Sequence, residues 1–185
     1  MKRLHRFLHL LIPNKYLHNQ RNLWTKSLLS LTPLQNIPFI RQSDNLADIL
    51  VKSLQETNIE LQQDDILVVA QKIVSKSEGR MVNLATVSPS PHAIELAQKS
   101  EKDPRVIELM LKESNEILRI RAGTIIVEHK LGFVCANAGI DHSNVIEGEE
   151  NVLLLPEDPD QSARNIREQI KQKTGINIGV MIIDS

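Results

Sequence analysis

The run Ile66-Leu67-Val68-Val69-Ala70 decides the fold, because it is continuously apolar and lies between polar segments. A short run of this kind is typical of a strand buried in the protein interior. A second run, Ile178-Gly179-Val180-Met181-Ile182-Ile183, is expected to be another buried strand that carries Asp184 and Ser185 at its carboxyl end. We therefore predict an α+β fold, a mixed sheet with flanking helices.

The helices around this sheet are predicted from capping residues and apolar stripes. An apolar stripe over residues 44–56 follows a start signal at Ser43 and Asp44 and predicts the first helix. Two later helices each place a capping side chain before a proline, at Ser90-Pro91 and at Asp103-Pro104. The second of these is expected to bury Ile117.

Shorter patterns complete the predicted elements. Residues 75–80 are polar and contain a glycine, which favours a turn after the first buried strand. The remaining expected elements are a hairpin of strands 124–128 and 133–136, a strand at 152–155, and a helix that starts at Asp158 and ends at Gly175.

Length and composition bound the class of protein. The 185 residues, 41% of them hydrophobic, suffice for one compact unit or two small intertwined lobes. Lys and Arg number 22 against 23 Asp and Glu, so the charge gives no reason to expect nucleic acid or an anionic membrane as the main partner. Residues 27–40 and 81–94, the longest stretches without these charges, are too short to span a bilayer. The single cysteine, Cys135, fits a reducing cytosol, so we predict a cytoplasmic protein.

Residues 1–27 are expected to be a basic extension, disordered or helical, and residues 28–185 to be the domain. No acidic residue precedes Asp44, whereas seven Lys and Arg residues do. Leu4, Phe7, Leu8 and Leu11 recur at helical spacing, which would suit a membrane-surface helix or a targeting peptide. A frayed extension, or a start assigned too early, is favoured over both, so membrane contact is not expected.

Three polar positions follow predicted strands and could form one site. Asp141 lies in a glycine-containing segment, Asp184 and Ser185 follow the last strand, and Lys76 lies with Arg80 in the polar turn. Carboxylate and hydroxyl oxygens suit Mg²⁺ or Mn²⁺, and a lysine suits phosphate oxygens. If Asp141 and Asp184 converge on one cation beside Lys76, these residues would form a nucleoside-triphosphate site.

Each of these residues also has a structural interpretation, which the spacing alone favours. The polar turn could be a solvated connection, and Asp141 could stabilise a turn through its own side chain. Asp184 could simply end its strand. No partner can be identified from the sequence for His129 or His142.

Five segments of the chain form a pattern in order and spacing. Two of them, residues 70–80 and 134–144, contain the most specific strings, Lys72-Ile73-Val74-Ser75-Lys76-Ser77-Glu78-Gly79-Arg80 and Asn137-Ala138-Gly139-Ile140-Asp141. The other three are residues 37–40, 154–163 and 183–185. This pattern resembles the coenzyme F420-0 gamma-glutamyl ligase family over roughly four fifths of the chain.

The resemblance implies a ligase that uses GTP as co-substrate to join L-glutamate to the deazaflavin precursor coenzyme F420-0 through an acyl phosphate. It also implies Mg²⁺ or Mn²⁺, with K⁺ as a further candidate. By motif position, Asp141 and Asp184 would hold one metal ion and Ser185 a second, and Lys76, Asp141 and Asp184 would be the catalytic residues. The residues that would contact the nucleotide are Ile37, Pro38, Phe39, Ile40, Gln71, Lys72, Lys76 and Asn144.

The chain departs from the family pattern at both ends. The basic leader is not part of the pattern, and the family's chains continue past the Asp-Ser or Asp-Thr pair to a further metal-binding carboxylate. We therefore expect the catalytic unit to be incomplete as given. The alternatives are a non-catalytic nucleotide- or partner-binding module and an inactive fragment of the same fold. A homodimer is implied by the resemblance alone.

Overall fold

A computed structural model describes residues 9–13, 29–142 and 150–184. It confirms the α+β class with a mixed sheet. The strands are β1 (His9–Pro13), β2 (Leu29–Pro33), β3 (Ile66–Ala70), β4 (Met81–Asn83), β5 (Ser114–Arg121), β6 (Thr124–His129), β7 (Val134–Ala136), β8 (Asn151–Leu153) and β9 (Gly179–Ile183). The helices are α1 (Leu46–Glu56), α2 (Gln71–Ser77), α3 (Pro91–Ser100), α4 (Pro104–Lys112) and α5 (Pro159–Thr174).

The chain divides into two compact units, each with its own apolar core. The first unit comprises Met1–Gly79 and Pro156–Ser185, and the second is the continuous segment Arg80–Leu155. The predicted boundary between an extension and a domain at residue 28 stays a prediction. Within that extension, however, His9–Pro13 form strand β1, whereas the residue spacing favours a helix there.

The first unit is built on a four-stranded sheet with the order β2-β1-β3-β9. Strand β1 is antiparallel to β2 and β3, whereas β3 and β9 are parallel. Leu67 and Val69 of β3 are fully buried, together with Leu50 of α1 and Ile170 of α5. Burying each such side chain contributes about 1.5–3 kcal/mol. The run over 66–70 is therefore the central buried strand that its composition predicts.

Strand β9 differs from its prediction as a buried strand. Among the described residues it forms one edge of the four-stranded sheet, and its side chains are partly buried, with Met181 48% exposed. Val180 and Ile182 pack against the core from one face. An edge position explains this, since a strand there has a neighbouring strand on one side only.

Most predicted helix starts are confirmed by their caps. Ser90 accepts a hydrogen bond from the N–H of Ala93, and Asp103 and Asp158 cap α4 and α5 in the same manner. Helix α1 begins at Leu46, two residues later than the expected start at residue 44, because its cap is Asn45. None of the helices in the described ranges is long and apolar enough to cross a bilayer.

The second unit packs α3 and α4 on an antiparallel sheet with the order β5-β6-β7. Alternation along β6 buries Ile125, Val127 and His129 on the core face. The expected hairpin is confirmed as β6 and β7. Ile117 was expected on a helix, but α4 ends at Lys112 and Ile117 lies in β5, paired with Val127. Pairing with a distant strand thus overrides the helical spacing of the apolar residues.

Asp65, which precedes β3, is a fully buried carboxyl group. Its Oδ2 accepts a hydrogen bond of 2.8 Å from the N–H of Gln62, whereas Oδ1 has no hydrogen-bond partner among the described residues. Burial raises the pKa of Asp65 above its ordinary value of 3.8, and the neighbouring Asp64 raises it further, although the Gln62 hydrogen bond opposes the shift. The neutral form is therefore the one that the fold favours.

Asp65→Asn is expected to remove a pH dependence from the stability. Because the pKa is raised in the fold, the stabilising contribution of neutral Asp65 is complete below pH 3.8 and is lost as the pH rises through the folded-state pKa. Asparagine can still accept the hydrogen bond from Gln62 but has no charge to desolvate, so the variant should be more stable than the wild type at pH 8 and should lose this advantage at pH 4. Urea unfolding at a series of pH values tests this. If the free energies of unfolding of the two proteins changed with pH in the same way, the prediction would be wrong.

Candidate functional site

The carboxyl ends of β3 and β9 bring together predicted site residues of the first unit. These strands are parallel neighbours, and their last paired residues are Ala70 and Ile183. Gln71 and Asp184 each follow directly after this pair, so both lie at the same edge of the sheet. Asp184 is exposed there. In open α/β sheets, ligands bind at the carboxyl ends of parallel strands.

Helix α2 starts directly after β3 and carries the two predicted nucleotide-binding lysines. Lys72 and Lys76 are both half-buried. They are four residues apart in a helix, so they lie on one face of α2. The sequence patterns predict a polar turn over 75–80, whereas the helix continues to Ser77 and only Glu78 to Arg80 leave it. This helix is what groups the two cations.

The amide of Gln71 has a structural partner. Its side chain is buried, and its Nε2 donates a hydrogen bond of 2.6 Å to the Oγ of Ser75, which is also buried. This bond spans one turn of α2 and holds the Gln71 side chain against the helix. The predicted contact between Gln71 and a nucleotide stays a prediction.

The segment over residues 37–40 exposes its two central residues. Ile40 is buried and Ile37 is partly buried, and both pack against the core of the first unit. Pro38 is exposed, and 80% of Phe39 is exposed. An exposed aromatic ring beside two anchored residues offers a flat surface on which a base can stack.

Hydrogen bonds hold this segment and α2 to their neighbours. Before the segment, the Oγ of Ser53 donates a hydrogen bond of 2.6 Å to the carbonyl oxygen of Gln35. After it, the N–H of Ser43 donates to the carbonyl oxygen of Ser77 at 2.8 Å. The Oγ of Ser162 in α5 donates to the carboxylate of Glu78, at the carboxyl end of α2. The lysine-bearing helix is thereby tied to two other parts of its unit.

Asp141 lies in the second unit, directly after a turn of unusual backbone conformation. Asn137, Ala138 and Gly139 have φ angles of 53°, 52° and 65°, so three successive residues are left-handed. A left-handed residue that carries a side chain costs roughly 1–2 kcal/mol, and such strain persists where the surroundings determine the conformation. A Cβ at Gly139 would lie 2.7 Å from Cδ1 of Leu155, so only glycine fits there. The turn is therefore closely defined by its neighbours.

Two hydrogen bonds fix the backbone of Asp141 itself. The N–H of Asp141 donates to the carbonyl oxygen of Leu153, and the N–H of Leu153 donates back, both at 2.9 Å. The side chain of Asp141 is half-buried. An anchored backbone suits a carboxylate that must be held in one place.

Arg80 belongs to a buried ion cluster in the second unit, rather than to a solvated turn. Its Nη2 lies 2.8 Å from Oε2 of Glu113, and its Nε donates to the carbonyl oxygen of Leu155 at 2.8 Å. Oε1 of Glu113 also accepts a hydrogen bond of 3.0 Å from Nζ of Lys130, which lies 2.9 Å from Oε2 as well. The sequence reasoning missed Glu113, because nothing in its local pattern distinguishes it from an exposed glutamate.

His129 has partners that the sequence did not identify. Its ring is fully buried and stacks on Phe133, with the ring centroids 5.1 Å apart. Its Nδ1 accepts a hydrogen bond from the N–H of Leu131, and its Nε2 lies 3.7 Å from the carboxylate of Glu113. Burial lowers the pKa of His129, although the charge of Glu113 opposes the shift. Extending the alternation of Ile125 and Val127 by two residues would have placed His129 in the core.

The predicted metal ligands do not all fall within one described unit. Asp184 belongs to the first unit and Asp141 to the second, so their convergence stays a prediction. Asn144 and Ser185 lie outside the described residues. No group of three or more His, Cys, Asp or Glu side chains suited to a metal occurs among the described residues of either unit. The carboxylate oxygens of Asp141 and Asp184 are nevertheless the donors that Mg²⁺ and Mn²⁺ prefer.

Comparison with known proteins identifies the family. A family model described as F420-0:Gamma-glutamyl ligase matches residues 35–185. The coenzyme F420:L-glutamate ligase of Methanopyrus kandleri is 42% identical over 146 residues, which are 79% of this chain and 55% of that protein. The protein of the same name from Methanothermobacter thermautotrophicus is 40% identical over 157 residues, 85% of this chain and 62% of that protein.

A third relative has a similar identity to this chain. The coenzyme F420:L-glutamate ligase of Methanocaldococcus jannaschii is 44% identical over 125 residues, which are 68% of this chain and 49% of that protein. The chain thus spans about half to three fifths of the length of these curated relatives. Both the family model and the relatives agree with the resemblance carried by the motifs. The chain therefore belongs to the F420-0:gamma-glutamyl ligase family.

Proposed function

We propose that the chain carries catalytic residues of a ligase that uses GTP to join L-glutamate to coenzyme F420-0. The observation that supports this most strongly is the edge formed by β3 and β9. There, Asp184 ends one parallel strand, and the other continues directly into the helix that carries Lys72 and Lys76. A carboxylate at this edge, next to the start of a helix that carries two lysines, suits a metal-bound nucleotide.

In this proposal, ligation proceeds in two steps. The terminal phosphoryl group of GTP passes to a carboxylate of coenzyme F420-0, which yields an acyl phosphate and GDP. The amine of L-glutamate then attacks the acyl carbon, phosphate leaves, and the amine loses a proton as the amide forms. Phosphoryl transfer of this kind depends mainly on positioning and charge stabilisation.

The chain's own residues hold and orient the reacting phosphates. Asp141 and Asp184 would hold one Mg²⁺ or Mn²⁺ ion, and Ser185 would hold a second. When bound, such an ion neutralises charge on the phosphate oxygens during the transfer. Lys76, with Lys72 on the same helix face, would bind the phosphates and stabilise the developing charge. Residues 37–40, Gln71 and Asn144 would contact the rest of the nucleotide.

Phe39→Ala should weaken GTP binding without changing stability. Phe39 is exposed, so the free energy of unfolding should change by no more than about 0.5 kcal/mol. Loss of stacking costs about 1–3 kcal/mol per base, which predicts a roughly tenfold higher Kd for GTP. Isothermal titration with GTP measures this, and Leu31→Ala, another exposed apolar side chain of the first unit, is the matched control. Equal affinity of both variants would remove Phe39 from the nucleotide site.

A ligation assay tests the proposed function directly. The chain is supplemented with the part of the Methanopyrus kandleri relative that the matched region does not cover, and is given GTP, Mn²⁺, coenzyme F420-0 and labelled L-glutamate. We expect a glutamylated product from the wild type and at least about 100-fold less from Lys76→Ala, since charge stabilisation of this kind is worth several kcal/mol. Lys52→Ala, an exposed lysine of the same unit, is the control. Absence of product, while the intact relative forms it in the same assay, would overturn the proposal.

A second candidate function is a non-catalytic nucleotide-binding module. It is favoured by the two lysines on one face of α2 and by the exposed ring of Phe39, which suit nucleotide binding and require no catalysis. This candidate predicts GTP binding that depends on Lys76, with no product under any supplementation. The homodimer implied by the resemblance and the cytoplasmic location predicted from the single cysteine stay predictions.

A further inference from the structure

A short hydrogen-bonded path joins the ion cluster at Glu113 to Asp141. Arg80 reaches Glu113 through Nη2 and the carbonyl oxygen of Leu155 through Nε. Its own carbonyl oxygen accepts a hydrogen bond of 3.0 Å from the N–H of Leu154. Arg80 therefore contacts both residues that follow β8: its backbone contacts Leu154, and its side chain contacts Leu155.

Strand β8 connects the residues that Arg80 contacts to Asp141. Leu153, the last residue of β8, pairs with Met81 on one side and with Asp141 on the other. The side chain of Leu155 also lies against the backbone of Gly139, two residues before Asp141. The position of Leu153 to Leu155 thus sets the position of the strained turn and of the aspartate after it.

We propose that Arg80 is a positioning residue for Asp141: it clamps the end of β8 to the buried carboxylate of Glu113 and so holds the Asp141 backbone in place. The proposal rests on the proposed function, in which Asp141 is a metal ligand. It assigns to Arg80 a role in metal binding without any contact to the metal or to a substrate.

An arginine is required because the two contacts diverge. One guanidinium group donates from Nε to a carbonyl oxygen and from Nη2 to a carboxylate, both at 2.8 Å. The planar group offers these donors in a fixed fork, whereas a lysine presents a single charged nitrogen. A lysine at position 80 could keep the charge pair with Glu113 or the bond to Leu155, but it could not reproduce both.

Arg80→Lys tests the proposal, and Lys130→Gln is the matched control. Lys130 contacts the same carboxylate from the turn after β6, whereas Arg80 alone of the two donates to the Leu155 carbonyl. Both variants disturb the ion cluster, but only Arg80→Lys breaks the side-chain link between Glu113 and the residues that follow β8. Two quantities are measured on the folded chain, well below each melting temperature: hydrogen exchange of the Asp141 and Leu153 amides, and the Kd for Mn²⁺.

We expect Arg80→Lys to speed exchange of both amides and to raise the Kd for Mn²⁺ by about tenfold, the lower end of the range for residues that orient metal ligands. Lys130→Gln should leave the Kd within about twofold of the wild-type value. If Arg80 had a merely structural role, Arg80→Lys would also leave the Kd within about twofold. Equal effects of the two variants on exchange and on the Kd would overturn the proposal. Asp141→Asn is measured alongside. If it leaves the Kd unchanged, the proposed metal site fails, whereas the exchange comparison still decides whether Arg80 positions Asp141.

Discussion

Asp141→Asn and Asp184→Asn are each expected to lower ligation by at least about 100-fold. An asparagine keeps the size of the side chain but removes the negative charge that binds a divalent ion. Metal-ion catalysis supplies several kcal/mol of charge stabilisation, and each 1.36 kcal/mol is a factor of ten in rate. The supplemented ligation assay measures this loss at saturating GTP.

Stability separates this loss of activity from misfolding. Asp184 is exposed, so Asp184→Asn should leave the free energy of unfolding within about 0.5 kcal/mol of the wild type. Glu60→Gln removes another exposed carboxylate of the first unit and should retain full activity. An Asp184→Asn protein with more than a tenth of the wild-type rate would exclude Asp184 as a required ligand.

Glu113→Ala is expected to destabilise the fold by about 3–5 kcal/mol, the range for removing one partner of a buried ion pair. The side chain of Glu113 is 8% exposed and that of Arg80 is 14% exposed, so the substitution leaves a buried guanidinium group without its counter-charge. Lys130 and Nε2 of His129 lose the same carboxylate. The midpoint of urea unfolding should therefore fall steeply.

Glu116→Ala is the control for this substitution. Glu116 is an exposed glutamate of β5, three residues beyond Glu113, and surface changes of this kind stay within about 0.5 kcal/mol. A loss of less than 1 kcal/mol in Glu113→Ala would show that the cluster contributes little to stability. It would also weaken the case that Arg80 anchors β8 through Glu113.

Features decided by nearby residues could be predicted from the sequence. The strand at Ile66–Ala70 follows from its own composition, and the starts of α3, α4 and α5 follow from a capping side chain next to a proline. The segment around Asp141 could also be singled out as a candidate site, because it is rich in polar residues and has few core-forming ones.

Features decided by distant pairing could not be predicted in this way. Ile117 has helical spacing to Val106 and Met110, but it pairs with Val127 in a sheet. Strand β1 exists because His9–Pro13 pair with both β2 and β3, which no local pattern indicates. Such long-range contacts override local preference.

Two features of the candidate site were missed for the same reason. The helix over Gln71–Ser77, which groups the two lysines, contains polar residues that also suit a turn. Arg80 and Glu113 are 33 residues apart, so their pairing is visible only in the fold. Lys76 and Arg80 lie in the same family motif, whereas in the structure Arg80 contacts Glu113 and Leu155 of the second unit.

Binding of Mn²⁺ in the presence of GTP tests the central claim, that Asp141 and Asp184 hold the same ion. Electron paramagnetic resonance counts the bound ions in the wild type, in each single asparagine variant and in the double variant. We predict that either single substitution releases the same ion and that the double variant releases no more, because ligands of one ion act as a unit. Loss of a different ion in each single variant, with both lost in the double variant, would show two separate sites and contradict the account.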